Sequence, residues 1–236
     1  MTLSRLWPPR FHKRRTTLRR ALTITLIVLA QPSFESLLAG GALIALGQLV
    51  HFVAAGTLVK ERELTTAGLY AHVRNPFYLG SFLTDLGFCC AASCPIVALV
   101  WFPLFYAGVI HPRVRSEEAT LEALHGQAYR EYLARVPRYL PSPRARLSET
   151  HGRFSWAHLR RNGELPRQLH HFAFLLIMFA KLRFLEFQQG RAWTMHDLLT
   201  LRHDAPGNLA LVAGLMLVAT PWLLGRVVRS PSPRAE

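Results

Sequence analysis

An arginine, several aromatic residues and two adjacent carboxylates stand out in this chain. Arg74 lies in Gly68-Leu-Tyr-Ala-His-Val-Arg-Asn-Pro-Phe-Tyr-Leu-Gly80, and Glu117-Glu118 follow at the far end of a nearly uncharged run. A guanidinium can grip a carboxylate through two parallel hydrogen bonds. Carboxylates accept from ammonium and hydroxyl groups, and aromatic rings offer a face to a cation. Charge at the two mouths of an apolar hairpin is costly unless something polar binds there. The pattern therefore predicts a polar ligand held at a membrane face.

The elements that must carry these residues are apolar. The chain has 236 residues, half of them hydrophobic, which sets it among polytopic membrane proteins rather than soluble domains. Apolar segments are expected at about Leu18–Ala30, Ser36–Val59, Tyr78–Ser93, Ile96–Ile110, Leu169–Leu185 and Asn208–Leu224. The second is rich in glycine (Gly40, Gly41, Gly47, Gly56) and suited to close helix packing. The third and fourth fall short of the ~20 residues needed to span and meet at Pro95, so they read as a tilted or re-entrant hairpin. After them, Glu117–Arg135 reads as an amphipathic surface helix interrupted at Gly126 and ended by Pro137, Pro141 and Pro143. The segment Glu186–Pro206 reads as a loop.

The fold class expected is all-α: a polytopic transmembrane helical bundle of about five to six membrane segments, including a short helical hairpin, plus a cytoplasmic amphipathic helix. Its divisions are a basic cytoplasmic N-terminus (1–17), a membrane core (18–141), a polar cytoplasmic connector (142–167), a C-terminal membrane helix pair (168–226) and a disordered tail (227–236). The net charge of +14 would suggest nucleic acid in a soluble protein, but here the basic residues bracket apolar runs and no nucleic-acid motif accompanies them. With six passes nearly all Lys and Arg fall on one side, leaving Lys181, Arg183, Arg191 and Arg202 opposite. This bias predicts both termini in the cytoplasm, with the Arg74 and Glu117-Glu118 motifs on that same face. Cys89, Cys90 and Cys94 read as small buried packing residues. No HExxH or similar pattern is present, so no metal is expected. His51 reads as a helix-contact donor.

Gly68-x-Tyr70, Arg74-x-Pro76-x-Tyr78-x-Gly80 and Glu117-Glu118, with Gly126-x-x-Tyr129-x-x-Tyr132-x-x-Arg135-Val-Pro-Arg-Tyr-x-Pro141, resemble the isoprenylcysteine carboxyl methyltransferase family. These are integral-membrane S-adenosylmethionine methyltransferases related to phospholipid N-methyltransferases. The resemblance covers about Leu49 to Pro141. It implies a pocket for S-adenosylmethionine at the cytoplasmic helix ends, formed by Tyr70, Arg74, Asn75, Pro76, Tyr78, Gly80, Glu117 and Glu118. Arg74 would grip the cofactor's carboxylate, and Glu117 or Glu118 its ammonium or ribose hydroxyls. Tyr70 and Tyr78 would face the adenine or the sulfonium. Arg74, Asn75 or His72 would orient the acceptor.

Three positions depart from the family pattern. Asn75 stands where much of the family has His and cannot titrate, which tilts the reading away from amine acceptors toward already anionic ones. Leu69 replaces a Pro, and Thr57 sits where a larger polar residue is expected. The activity implied is methyl transfer from S-adenosylmethionine to a lipophilic acceptor, through a carboxylate or thiol of an isoprenoid-like or lipid substrate. The lipid bilayer is the expected partner, with no nucleic acid and no obligate protein partner, and a bacterial inner membrane the expected location. The alternatives are a membrane reductase using NADPH, which shares an Arg-x-Pro-x-Tyr-x-Gly element, and a non-catalytic membrane protein retaining the fold.

Overall fold

The computed structural model describes residues 9–58, 64–143, 154–162, 165–190, 207 and 209–218. The apolar runs fold as helices: α1 (Pro9–Leu29), α2 (Phe34–Thr57), α3 (Pro76–Ala91), α4 (Pro95–His125), α5 (Gln127–Arg135), α6 (Trp156–Asn162), α7 (Leu165–Gly190) and α8 (Leu209–Val218). No strand occurs among the described residues. Of these helices, α2 and α4 are long and apolar enough to cross a membrane. Their outward faces are apolar too: Ile96 and Leu99 are 77% and 75% exposed.

The helix α2 begins in a reciprocal cap. The Ser33 hydroxyl accepts from the Ser36 amide at 3.1 Å, and the Ser36 hydroxyl accepts from the Ser33 amide at 2.9 Å. It then runs antiparallel to α3 along a seam of glycines. A methyl group at Gly40 would lie 2.5 Å from the Ala91 nitrogen, and one at Gly47 would lie 2.7 Å from the Gly80 carbonyl. Gly87 meets the Gly40 carbonyl in the same way. Apolar side chains gain little by leaving lipid, so backbone-to-backbone contact of this kind holds membrane helices together. Gly41, expected to share in this packing, has open space around it, whereas Gly56 is covered by the Phe154 ring.

The third and fourth apolar segments correct the expected hairpin. The turn between them is made by Ala92–Cys94, with Ser93 at φ 52°, and Pro95 opens the next helix instead of forming the turn. The helix α4 does not stop at Ile110. It continues to His125, 31 residues in all. Pro112 falls inside it but follows a stretch with looser bonding: Phe102–Ile110 is π-helical, and the His111 amide donates to the Tyr106 carbonyl five residues back. Pro103 lacks the amide that a regular α-turn would use, which accounts for the widening. Glu117 and Glu118 therefore lie late in a long membrane-type helix rather than at the start of a surface one. Only α5, after the Gly126 break at φ 54°, matches the expected amphipathic helix.

Helix α1 lies parallel to α3, with the Gln31 amide donating to the Ala92 carbonyl at 3.0 Å. At its C-terminal end the Lys181 ammonium of α7 donates to the carbonyls of Ile27 and Val28 at 2.6 and 2.8 Å. A cation there satisfies orphan carbonyls and complements the helix dipole. Cys89 and Cys94 are buried in the core beside Leu26, Phe88, Phe174 and Met178. The expected loop at Glu186–Pro206 is helical as far as Gly190. Its remainder, the N-terminal residues 1–8, residues 59–63 and 144–153, Arg191, Arg202 and the tail 227–236 lie outside the described residues.

Candidate functional site

The site is assembled where three pieces of chain converge: the loop before α3, the late turns of α4, and the segment returning after α5. Gly68, at φ 58°, starts a 3-10 turn (Gly68–Ala71) against Thr57, and a methyl group at Gly68 would lie 3.1 Å from the Thr57 methyl. Thr57 is buried against that turn and leaves little room for a side chain at 68, which together with the positive φ accounts for the glycine. The returning segment then pairs with the loop. The Arg74 amide donates to the Pro137 carbonyl at 2.9 Å and the Ser142 amide donates to the His72 carbonyl at 3.0 Å. The Tyr132 hydroxyl donates to the Tyr70 carbonyl at 2.7 Å.

Glu118 is the hub of this mouth. It is 7% exposed and accepts from Arg74 Nη1 at 3.1 Å, Asn75 Nδ2 at 3.3 Å and Arg138 through Nε and Nη2 at 2.8–3.1 Å. Asn75 also donates to the Arg138 carbonyl at 3.2 Å. The hydrogen bond to Glu118 holds the Arg138 guanidinium above its ordinary pKa. Burial, assisted by the charge of Glu118, lifts the Tyr129 phenol well above its usual value, and burial beside Tyr129 does the same for Tyr132. Both tyrosines therefore remain neutral packing and donor groups. Tyr139, also raised by burial, shares a 2.8 Å hydrogen bond with the His111 imidazole and ties the returning segment to α4.

Beside the hub, Glu117 accepts from the Tyr78 hydroxyl at 3.1 Å and from Arg113 Nε at 2.7 Å. Glu117 is 30% exposed, against 8% for the Glu118 side chain, so it is the carboxylate with room for a further donor. Arg74 Nε, by contrast, is buried and has no hydrogen-bond partner. An orphaned guanidinium donor next to a neutralised carboxylate is a place for an incoming anionic group.

The structure thus brings together Arg74, Asn75, Tyr78, Glu117 and Glu118. Pro76 opens α3 as its first residue, and Asn75 precedes it as the cap. Three other expected residues face elsewhere. The His72 Nδ1 meets the Ser142 carbonyl at 2.9 Å, so its ring is engaged by the returning segment rather than by the Glu118 cluster. Tyr70 is buried beneath Tyr132. Gly80 touches His51 and the Gly47 carbonyl, a helix-contact role on the α2 side, where the Ser81 hydroxyl and His51 Nε2 lie 3.3 Å apart.

Sequence reasoning missed two participants and a second cluster. Arg113 was legible as the i,i+4 partner of Glu117, whereas Arg138 lies in a motif whose fold-back onto Glu118 is tertiary. The second cluster centres on Asp85, 3% exposed within α3. Its Oδ2 accepts from Arg19 Nη2 at 3.1 Å, the Tyr106 hydroxyl at 2.8 Å and Trp101 Nε1 at 3.4 Å. An aspartate inside an apolar run was itself the available signal.

Apolar helices whose arginines and carboxylates gather at one end define a membrane-type arrangement. Residues 25–123 match the model of the isoprenylcysteine carboxyl methyltransferase (ICMT) family. The matched region starts earlier than the motifs suggested and ends before α5 and Arg138. Among curated proteins, the chain is similar to the protein-S-isoprenylcysteine O-methyltransferases of three organisms. Identity is 32% over 104 residues for Schizosaccharomyces pombe (44% of either chain). It is 27% over 124 residues for Xenopus laevis (52% of this chain, 43% of the relative). For Homo sapiens it is 31% over 108 residues (46% and 38%). The chain therefore spans less than half the length of the relatives it matches. No solved structure matches.

Proposed function

We propose that this protein is an integral-membrane methyltransferase that moves a methyl group from S-adenosylmethionine to the carboxylate or thiol of an isoprenoid-like or lipid acceptor. The observation that carries this reading is the Glu118 hub, with Arg74 oriented by it and Arg74 Nε left without a partner. That orphaned donor fits the cofactor's carboxylate. Glu117, half-open beside Tyr78, fits its ammonium or ribose hydroxyls, and the Tyr78 ring lies within reach of a cationic or planar group. The cofactor supplies an electrophilic methyl on a sulfonium. An already anionic acceptor would take that methyl without any proton having to be removed.

The chain's own residues then do three things. Arg74 and Glu117 hold the donor's polar ends, Arg138 neutralises Glu118 while Asn75 hydrogen-bonds it, and the helices exclude water while aligning the acceptor. Asn75 spends its amide on Glu118 and the Arg138 carbonyl, so it positions the hub and is not a base. We place the N-terminus of α1, the 68–75 loop, the late turns of α4 and α5 at the cytoplasmic face, in keeping with the basic residues gathered there. The names of the relatives motivate an isoprenylcysteine-like acceptor.

The test is calorimetric binding of S-adenosylhomocysteine to detergent-purified protein, with NADPH in parallel. Saturable binding of S-adenosylhomocysteine, weakened at least about tenfold in Arg74→Ala, is the expected result. Binding of NADPH alone would turn the reading to a reductase.

A further inference from the structure

The Asp85 cluster lies two turns deeper than Tyr78 on α3. The two residues are seven apart, on one face and about 10 Å along the axis. Leu18 and Tyr78 pack with Phe105, Val109 and Val114, so a single seam between α1, α3 and α4 runs from Glu117 inward to Asp85. Well-packed apolar side chains would dock α1 at least as firmly as an ion pair does. Charge retained at this depth points instead to a ligand.

The guanidinium of Arg19 lies over the Phe105 ring, 5.6 Å from its centroid, and is only partly hydrogen-bonded. One nitrogen, Nη2, reaches Asp85, while Nε is buried without a partner and the side chain stays 32% exposed. Asp85 in turn is fixed by Tyr106 and Trp101, so it holds Arg19 in place from behind. Charges along the seam leave a cationic surplus. Arg19, Arg74, Arg113 and Arg138 face three carboxylates, Asp85, Glu117 and Glu118, a net +1 among these described residues. That surplus lies at the mouth, Arg19 and Asp85 being balanced, so it draws an anionic head group, and not an amine, along the seam toward Tyr78.

We propose that Arg19, braced by Asp85, is the anchor for the carboxylate head of the lipophilic acceptor and sets the preference for an acid over its neutral counterpart. The proposal rests on the methyltransferase reading and adds to it a residue that lies before the family match begins at residue 25. The route it defines is simple. The acceptor's hydrocarbon stays among the apolar helices while its head is drawn along the α1–α3 seam toward Tyr78.

The test compares binding of two probes, S-farnesyl-N-acetylcysteine and its carboxamide, to the purified full chain, with S-adenosylhomocysteine affinity as the check on folding. A long-chain isoprenoid acid serves as a second carboxylate. The wild type is expected to bind a carboxylate at least about tenfold tighter than the amide, a charge-assisted hydrogen bond's worth. Arg19→Gln should erase that preference. The uncharged pair Arg19→Gln with Asp85→Asn, which restores packing between α1 and α3, should fail to bring it back. A double variant that recovers the preference would show the pair to be a helix dock only. Wild-type protein that binds neither carboxylate, or binds acid and amide alike, would also overturn the proposal. Loss of S-adenosylhomocysteine binding with the acid preference intact would sink the methyl-transfer reading alone and leave the anion site standing.

Discussion

Two buried carboxylates organise this molecule, and they do so differently. Glu118, at the mouth, gathers two arginines and an amide. Asp85, among the apolar helices, gathers one arginine with a phenol and an indole. The first arrangement carries excess positive charge and the second is balanced. The mouth therefore depends on its carboxylate to keep two guanidiniums from repelling each other. The inner cluster is a neutral unit whose arginine, partly exposed, has somewhere else to go. The mouth holds one more cation than its hub carboxylate neutralises, whereas the inner cluster is balanced and leaves only the unfilled part of the Arg19 guanidinium for an anion.

Removing each carboxylate should separate the two most clearly. Glu118→Gln leaves Arg74, 12% exposed, and Arg138 without a counter-ion. It is expected to cost about 3–5 kcal/mol of stability and to abolish S-adenosylhomocysteine binding. Asp85→Asn lets Arg19 turn toward the interface and is expected to cost about 1–2 kcal/mol. Denaturation in detergent measures both, and equal losses would erase the distinction.

Next in size, Arg138→Lys should weaken S-adenosylhomocysteine binding about tenfold, because an ammonium cannot span both oxygens of Glu118 as the guanidinium does. Unchanged affinity would mean that Arg74 and Asn75 suffice to orient the hub. Tyr106→Phe removes one neutral donor from Asp85 and should lower stability by about 1 kcal/mol. Smallest, Lys181→Met, which uncaps the end of α1 far from both hubs, should lower stability by about 0.3–1 kcal/mol and leave ligand binding alone. An effect of Lys181→Met on binding would show that the two ends of α1 are coupled.

The same comparison explains what could be read from the residue order. The Glu118 hub was partly legible, because Arg74, Asn75 and the Glu pair sit in short motifs whose residue types declare their chemistry. The turn at Gly126 and the helix after it were legible for a similar reason. The Asp85 hub was hidden by distance and geometry. Arg19 lies 66 positions from Asp85. Trp101 and Tyr106 are five apart, which on an α-helix sets them about 140° apart around the axis. Only π-type bonding, i to i+5, brings such residues toward one face. The early end assigned to the fourth segment had the same origin. Hydropathy falls at His111, but hydrogen bonding does not stop there, and charged residues can continue a helix once it has left the apolar layer. The arrival of Arg138 on Glu118 is a property of the returning chain, and no local pattern announces it.

Because α4 is one unbroken rod carrying Trp101 and Tyr106 at one level and Glu117 and Glu118 at another, the angular phase between the two carboxylate clusters is set by the number of residues between them. Deleting a single residue from the regular turns between His111 and Glu117 would swing the Glu pair by about 100° relative to the inner cluster. Closing the widened turn in Phe102–Ile110, by contrast, would absorb much of a deletion made there. The helix should thus tolerate many changes of side chain along its outer face and almost no change of length beyond that turn.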